Sequence, residues 1–207
     1  MHKSRGNAIW FDDAAEKIGA DTMRLLYCLQ DPTQELKFGY NVAKEPKNNI
    51  NILFNLGNLI VDSKDRKVKK VEDKWIISRL NSLIKTMTEE FESLHPHLAT
   101  RALQEFWLND FSRGYIQMVR ERISVNDEDV SYVMKEVYLT ILKLAAPIIP
   151  FVTDAVWQNL RSKIKLSEES VHLCDWPKVD VKLINRKLEN SFDAINAVVP
   201  VILGQLH

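Results

Sequence analysis

The chain has 207 residues, 45% of them hydrophobic and 27% charged, so it can bury a real core and is not a low-complexity tract. Its 28 basic and 28 acidic side chains cancel. That balance argues against a generic nucleic-acid binder, which carries an overall basic excess, and confines any RNA contact to local clusters. The two cysteines, Cys28 and Cys174, make no disulfide framework and read as reduced thiols of a cytoplasmic protein. No apolar run approaches a membrane span, and the N-terminus lacks the charged-then-apolar build of a signal peptide.

The first stretch, Met1 to Asn7, is short, polar and contains a glycine. Lys3, Ser4 and Arg5 beside Gly6 suit a mobile loop that grips phosphate. Gly6 lets the backbone approach a ligand, and Lys3 brings a point charge on a flexible stem. Asp12 to Ile18 then predicts a short helix stopped by Gly19. Asp21 is placed to cap the next helix, Thr22 to Leu29, which Asp31-Pro32-Thr33 ends. Glu35 to Tyr40 alternates as a short strand would.

A helix opening near Lys44 or Glu45 tolerates Pro46 in its first turn. It carries Ile50, Leu53, Phe54, Leu56 and Ile60 at helical spacing, while Asn48, Asn49, Asn51, Asn55 and Asn58 form a solvated face. Lys64 to Lys70 reads as an exposed loop. Trp75, Ile76, Leu80, Leu83, Ile84, Met87, Phe91 and Leu94 define another helix, ended by His95-Pro96-His97, a turn rather than a metal pair. Leu98 to Ile123 predicts the longest helix, with Gly114 marking close approach of a neighbour. Asn126 is placed to cap the helix of Val130, Val133, Met134, Val137 and Ile141, with Asp127, Glu128 and Asp129 in its first turn. Ala146-Pro147-Ile148-Ile149-Pro150 stops it and starts another. Ser170 to Pro177 is extended, which would set His172 and Cys174 on one face, too few ligands for structural zinc. A last helix runs from about Val181 to Val199.

Amphipathic helices joined by short polar connections predict a mainly α protein, an antiparallel helical bundle. No series of apolar strands alternates with helices. The division expected is a loop plus small α-rich connector over residues 1–40, and a bundle over residues 41–207.

The loop Met1-His2-Lys3-Ser4, followed by Gly6-Asn7 and later Gly19-Ala20-Asp21 and Arg24-Leu25, resembles the signature region of class I aminoacyl-tRNA synthetases. It matches the last four positions of the KMSKS-type loop, with His2 in place of the usual Ser, and looks closer to archaeal-type members. Trp75-Ile76-Ile77-Ser78-Arg79-Leu80, Asn109-Asp110-Phe111-Ser112-Arg113-Gly114-Tyr115, Leu144-Ala145-Ala146-Pro147-Ile148-Ile149-Pro150-Phe151 and Ser170-Val171-His172-Leu173-Cys174-Asp175-Trp176-Pro177 are similar, in order, to the anticodon-binding bundle of isoleucyl-tRNA synthetases.

The resemblance implies the C-terminal piece of a longer enzyme that joins isoleucine to its tRNA with ATP and magnesium. ATP and isoleucine would be held mainly by a catalytic domain outside these residues. Lys3 would be the catalytic cation, and Lys3, Ser4 and Gly6 would bind ATP. Arg113, Arg120, Arg122 and Lys135 would contact isoleucine tRNA. Trp75, Phe106 and Trp107 read as core. By itself the piece would hold no cofactor, contact no membrane and catalyse nothing. Two alternatives stand beside this: the same portion of a leucyl, valyl or methionyl enzyme, and a helical protein-interaction module without RNA.

Overall fold

The computed structural model describes residues 9–66 and 68–204, with side chains through residue 195. Among the described residues there is no strand; the chain is a helical bundle, as the apolar periodicities predict. Two short helices, α1 (Phe11–Ile18) and α2 (Ala20–Cys28), precede α3 (Lys44–Leu56). Gly19 separates α1 from α2 at φ +87°, a conformation L side chains avoid. Glu35 to Tyr40 is not a strand. Gln30 takes the place of a strand partner there, donating to Lys37 O at 2.9 Å and accepting from Lys37 N at 2.7 Å.

The axis of the bundle is α4 (Val71–Glu92), which packs against α5 (Pro96–Glu105), a π-helical segment (Phe106–Tyr115), α8 (Glu128–Ala145) and α10 (Arg186–Gly204). Trp75, Ile76 and Met87 on α4 are fully buried. The helix expected from Leu98 to Ile123 is divided: α5 and the π segment are followed by α6 (Ile116–Met118) and α7 (Arg120–Ser124). Wider π turns carry Phe106, Trp107, Phe111 and Tyr115 all into the core. At Gly114 a Cβ would lie 3.2 Å from the Trp75 ring and 2.9 Å from Asn109 O, so the α4 indole lies directly against bare backbone.

Between α8 and α9 (Pro150–Arg161) lies the Ala-Pro-Ile-Ile-Pro turn. Asp21 does not cap its own helix. Its Oδ2 accepts from Val152 N at 2.6 Å, capping α9 from 131 residues away in sequence. Arg24 donates from Nε to Ile148 O at 2.9 Å and from Nη2 to Pro147 O at 2.8 Å. The Gly-Ala-Asp and Arg-Leu residues thus clip the connector to the bundle. The α8 cap is Asp127, which accepts from Asp129 N and Val130 N, whereas Asn126 turns the chain at φ 54°. Asn49 is likewise not on the solvated face; it is buried in α3.

Residues 170–177 form a short 3₁₀ turn (Val171–Leu173) before running extended, so His172 and Cys174 are not strand neighbours. A second such turn, Val181–Leu183, precedes α10, which starts later than the periodicity suggests. Glu189, 1% exposed, anchors α10: it accepts from Ser78 Oγ, from Ser82 Oγ at 2.8 Å and from Arg186 at 2.9 Å. Phe192 stacks on Trp75 with ring centres 4.9 Å apart.

Leu83 and Val137 sit in the middle of this core, 5% and 0% exposed. Leu83→Ala and Val137→Ala should each cost about 1–4 kcal/mol in denaturant melts, through lost burial plus a cavity. Melts unchanged by both substitutions would mean that the helix faces are misassigned.

Candidate nucleic-acid interface

The expected phosphate loop, with Lys3, Ser4 and Gly6, lies outside the described residues. The four cations expected to contact tRNA fall into two kinds. Arg113 and Arg120 are exposed; Arg113 donates to Asn109 Oδ1 at 2.9 Å along its own helix. Arg122 and Lys135 are engaged inside the protein. The Arg122 side chain, 13% exposed, donates to Glu72 at 2.7 Å, to both Asp73 oxygens at 2.9 and 3.0 Å and to Asp127 at 2.9 Å. Lys135 donates to Ser63 O and lies 3.5 Å from Asp62.

Around Arg122 the electrostatics are tightly coupled. Asp73 is 0% exposed and also accepts the Tyr115 hydroxyl at 2.7 Å. Burial, with Asp73 beside it, raises the Tyr115 hydroxyl above its usual range. Burial alone would lower Arg122, but its bonds to Asp73 and Asp127 hold it above its ordinary value. This guanidinium is committed to carboxylates and offers little of its fork to a phosphate.

A second polar seam joins α4 to the π segment. Arg79 donates to Asp110 Oδ2 at 2.9 Å from Nε, with Nη2 at 2.8 Å. Burial raises Asp110 to about 6, against the pull of Arg79 and with the carboxylates of Asp193 and Glu105 adding to the rise.

One surface feature was not anticipated. A cleft of about 530 Å³ opens between α4, α8 and residues 178–188. Ile77, Leu80, Ile84 and Leu188 make it apolar, while Tyr132, Glu136, Lys74, Lys178 and Lys182 add aromatic and charged groups. A signal for it was present: Tyr132, Glu136 and Thr140 recur every four residues on α8, beside the stripe of Val133, Val137 and Ile141. Helical spacing places them together, but only the fold shows what faces them. Among the described residues no group of three or more His, Cys, Asp or Glu side chains is placed to hold a metal, and no helix is long and apolar enough to cross a membrane.

The helices that build this cleft coincide with a recognised family. Residues 73–203 match the anticodon-binding domain of tRNA ligase. The chain belongs to that family. Two similar curated relatives are isoleucine–tRNA ligases, from Methanothrix thermoacetophila at 38% identity and from Pyrococcus horikoshii at 35%, each over 96% of this chain. The chain spans about a fifth of their length, 21% and 20% respectively. Among solved structures, a LeuRS of Agrobacterium radiobacter K84 in a ternary complex with tRNA and LeuAMS superposes with a TM-score of 0.65. That match covers 89% of this chain and 23% of the other at 17% identity, and so speaks to the fold alone. In the terms of this anticodon-binding family, α4 through α10 is the matched portion, and Tyr132, Glu136 and the three lysines of the cleft lie within it.

Two measurements test these networks. Asp73→Ala leaves Arg122 and the Tyr115 hydroxyl without their buried acceptor and should cost roughly 3–5 kcal/mol in denaturant melts. A loss comparable to a surface change would contradict the coupling. Asp110 binds its proton more tightly folded than unfolded, so between its usual 3.8 and about 6 its contribution to stability falls as pH rises. Asp110→Asn should remove that part of the pH slope. An unchanged slope in melts across this window would show that another group sets it.

Proposed function

We propose that the chain is the tRNA-binding portion of an isoleucine–tRNA ligase, its helical bundle gripping the anticodon stem and loop of isoleucine tRNA. The observation that carries this is the match of residues 73–203 to the anticodon-binding family, joined to 38% identity with an isoleucine–tRNA ligase over 96% of this chain. The reaction of the whole enzyme would be adenylation of isoleucine by ATP, with release of pyrophosphate, then transfer of the acyl group to tRNA. Magnesium would accompany ATP. On this reading Lys3 supplies positive charge where the pyrophosphate leaves, and Ser4 and the backbone at Gly6 help hold the triphosphate. The enzyme would be cytoplasmic.

The proposed division is at residues 40 and 41, connector before and bundle after. In support, Ala14, Ile18, Met23 and Leu26 form a small core beside the large one, closed by Ala43 just past the division, while Leu25 joins the large core. Phosphates would supply most of the affinity and unstacked bases the identity. Of the four candidates, Arg113 and Arg120 are exposed and suited to phosphate. Arg122 and Lys135 would support the surface from within.

The 207-residue chain should bind isoleucine tRNA weakly and give no isoleucine-dependent ATP–pyrophosphate exchange. Each phosphate contact should lower affinity about threefold for every fourfold rise in salt. Arg113→Gln and Arg120→Gln should each reduce the salt slope by about one, whereas a core cation would instead change stability. Exchange above background would overturn the division of labour. Equal binding of isoleucine and leucine tRNAs would overturn the specificity, and no binding at low salt would remove the bundle's autonomous role.

A further inference from the structure

The cleft between α4, α8 and residues 178–188 has polar groups of two kinds. Several are already committed to the fold. Asn81 donates to Ile77 O at 2.9 Å and accepts from Asp180 N at 2.8 Å. The Asp180 carboxylate accepts from Lys182 N at 3.0 Å, and the Asn185 side chain accepts from Leu188 N at 3.0 Å. The remainder are not committed. Among the described residues, Lys74, Lys178 and Lys182 form no ion pair, Tyr132 has no ring partner, and Glu136 forms no hydrogen bond or close ion pair, although the charges of Lys135 and Lys143 on its own helix and of Asp65 act on it.

That unused set has a definite chemistry. The volume, about 530 Å³, lies in the range of small-molecule sites. Ile77, Ile84 and Leu188 offer apolar surface to a flat ring, and Tyr132 offers a face on which any base can stack. The lysines match a phosphate. A half-buried carboxylate is an acceptor-only group, so it selects a ring edge that presents N–H donors. Guanine presents N1–H and its exocyclic amino group side by side, which two carboxylate oxygens can accept together. Uracil flanks its one N–H with two carbonyls, which a carboxylate repels. An acidic peptide would satisfy the lysines but leave Glu136 facing like charge.

We propose that this cleft takes one unstacked nucleotide of single-stranded RNA, its base packed against Tyr132 and read at its donor edge by Glu136, its phosphate held by the surrounding lysines, with guanine preferred over uracil. The inference rests on the RNA-binding reading above and names a site within it. It also explains how a chain of zero net charge can hold RNA: three lysines unneutralised by ion pairs stand beside one apolar slot.

The test is a ¹⁵N–¹H titration of the 207-residue chain with guanosine 5′-monophosphate, uridine 5′-monophosphate and inorganic phosphate. The guanosine nucleotide should shift amides around Tyr132, Glu136 and Lys182 and bind about tenfold more tightly than the uridine nucleotide. E136Q should bring the two nucleotides close to parity, because an amide both donates and accepts. Tyr132→Leu should weaken both. Comparing the two nucleotides on the unaltered chain needs no variant to fold. Equal binding of the two, shifts confined to other surfaces, or the same shifts from phosphate alone would overturn the proposal. Isoleucine tRNA bound without these amides shifting would overturn the cleft and leave the tRNA reading standing. A guanosine preference in a chain that binds no tRNA would do the reverse.

Discussion

A single half-buried guanidinium holds the ends of several elements together. Arg122 stands on α7 and donates to Glu72 and Asp73 in the first turn of α4 and to Asp127, the cap of α8. Tyr115, the last residue of the π segment, donates to the same Asp73. Each partner would be costly buried alone. An unpaired carboxylate or guanidinium in this position would lose several kcal/mol of hydration without return, so the members stand or fall together. The position of α4 against α8 follows from that arrangement, and with it both walls of the cleft.

The connector is fastened by a comparable device at longer range. A helix start leaves backbone N–H groups without partners, and α9 begins immediately after a proline-bounded turn with no side chain of its own as cap. Asp21 fills that need from α2, and Arg24, one turn further along, takes carbonyls of the same turn. Opposite charges three residues apart on one helix therefore meet opposite backbone polarities on one turn. Burial raises the Asp21 carboxyl, against the backbone donors of Val152 and Phe151, which favour the charged form. On the proposed function, this clip would transmit the position of the bundle to the segment that bears Lys3.

The helices were legible because burial imposes a period of 3.6 on sequence, and the stripes of α4 and α8 obey it. Gly114 was legible for the same reason: a residue without Cβ inside an apolar stripe marks a close neighbour, here Trp75. What escaped is of another kind. Asp21 looks like a local cap because sequence shows only local donors, whereas its donor lies 131 residues away. Asn126 and Asp127 are both good capping residues, and the choice between them depends on which one takes the left-handed turn. The π segment obeys the same apolar spacing an α-helix would over two turns, so pattern cannot announce it. Arg113, Arg120 and Arg122 read alike along one helix, yet the third turns inward because Glu72 and Asp73 wait there.

That last distinction bears on what zero net charge means. A sum over 28 basic and 28 acidic side chains treats every charge as equally available. In the folded chain Asp21, Asp73 and Glu189 are buried among their own donors, and Arg122 is surrounded by carboxylates. Those charges are neutralised at short range in a poorly hydrated interior, and little of their field reaches a ligand beyond the screening length of about 8 Å. The field outside is set by what remains, and around the cleft that is three lysines without ion-pair partners among the described residues, against the two carboxylates of Glu136 and Asp180. A neutral sequence can therefore present a locally cationic surface, provided its acidic residues are the ones used to build the fold.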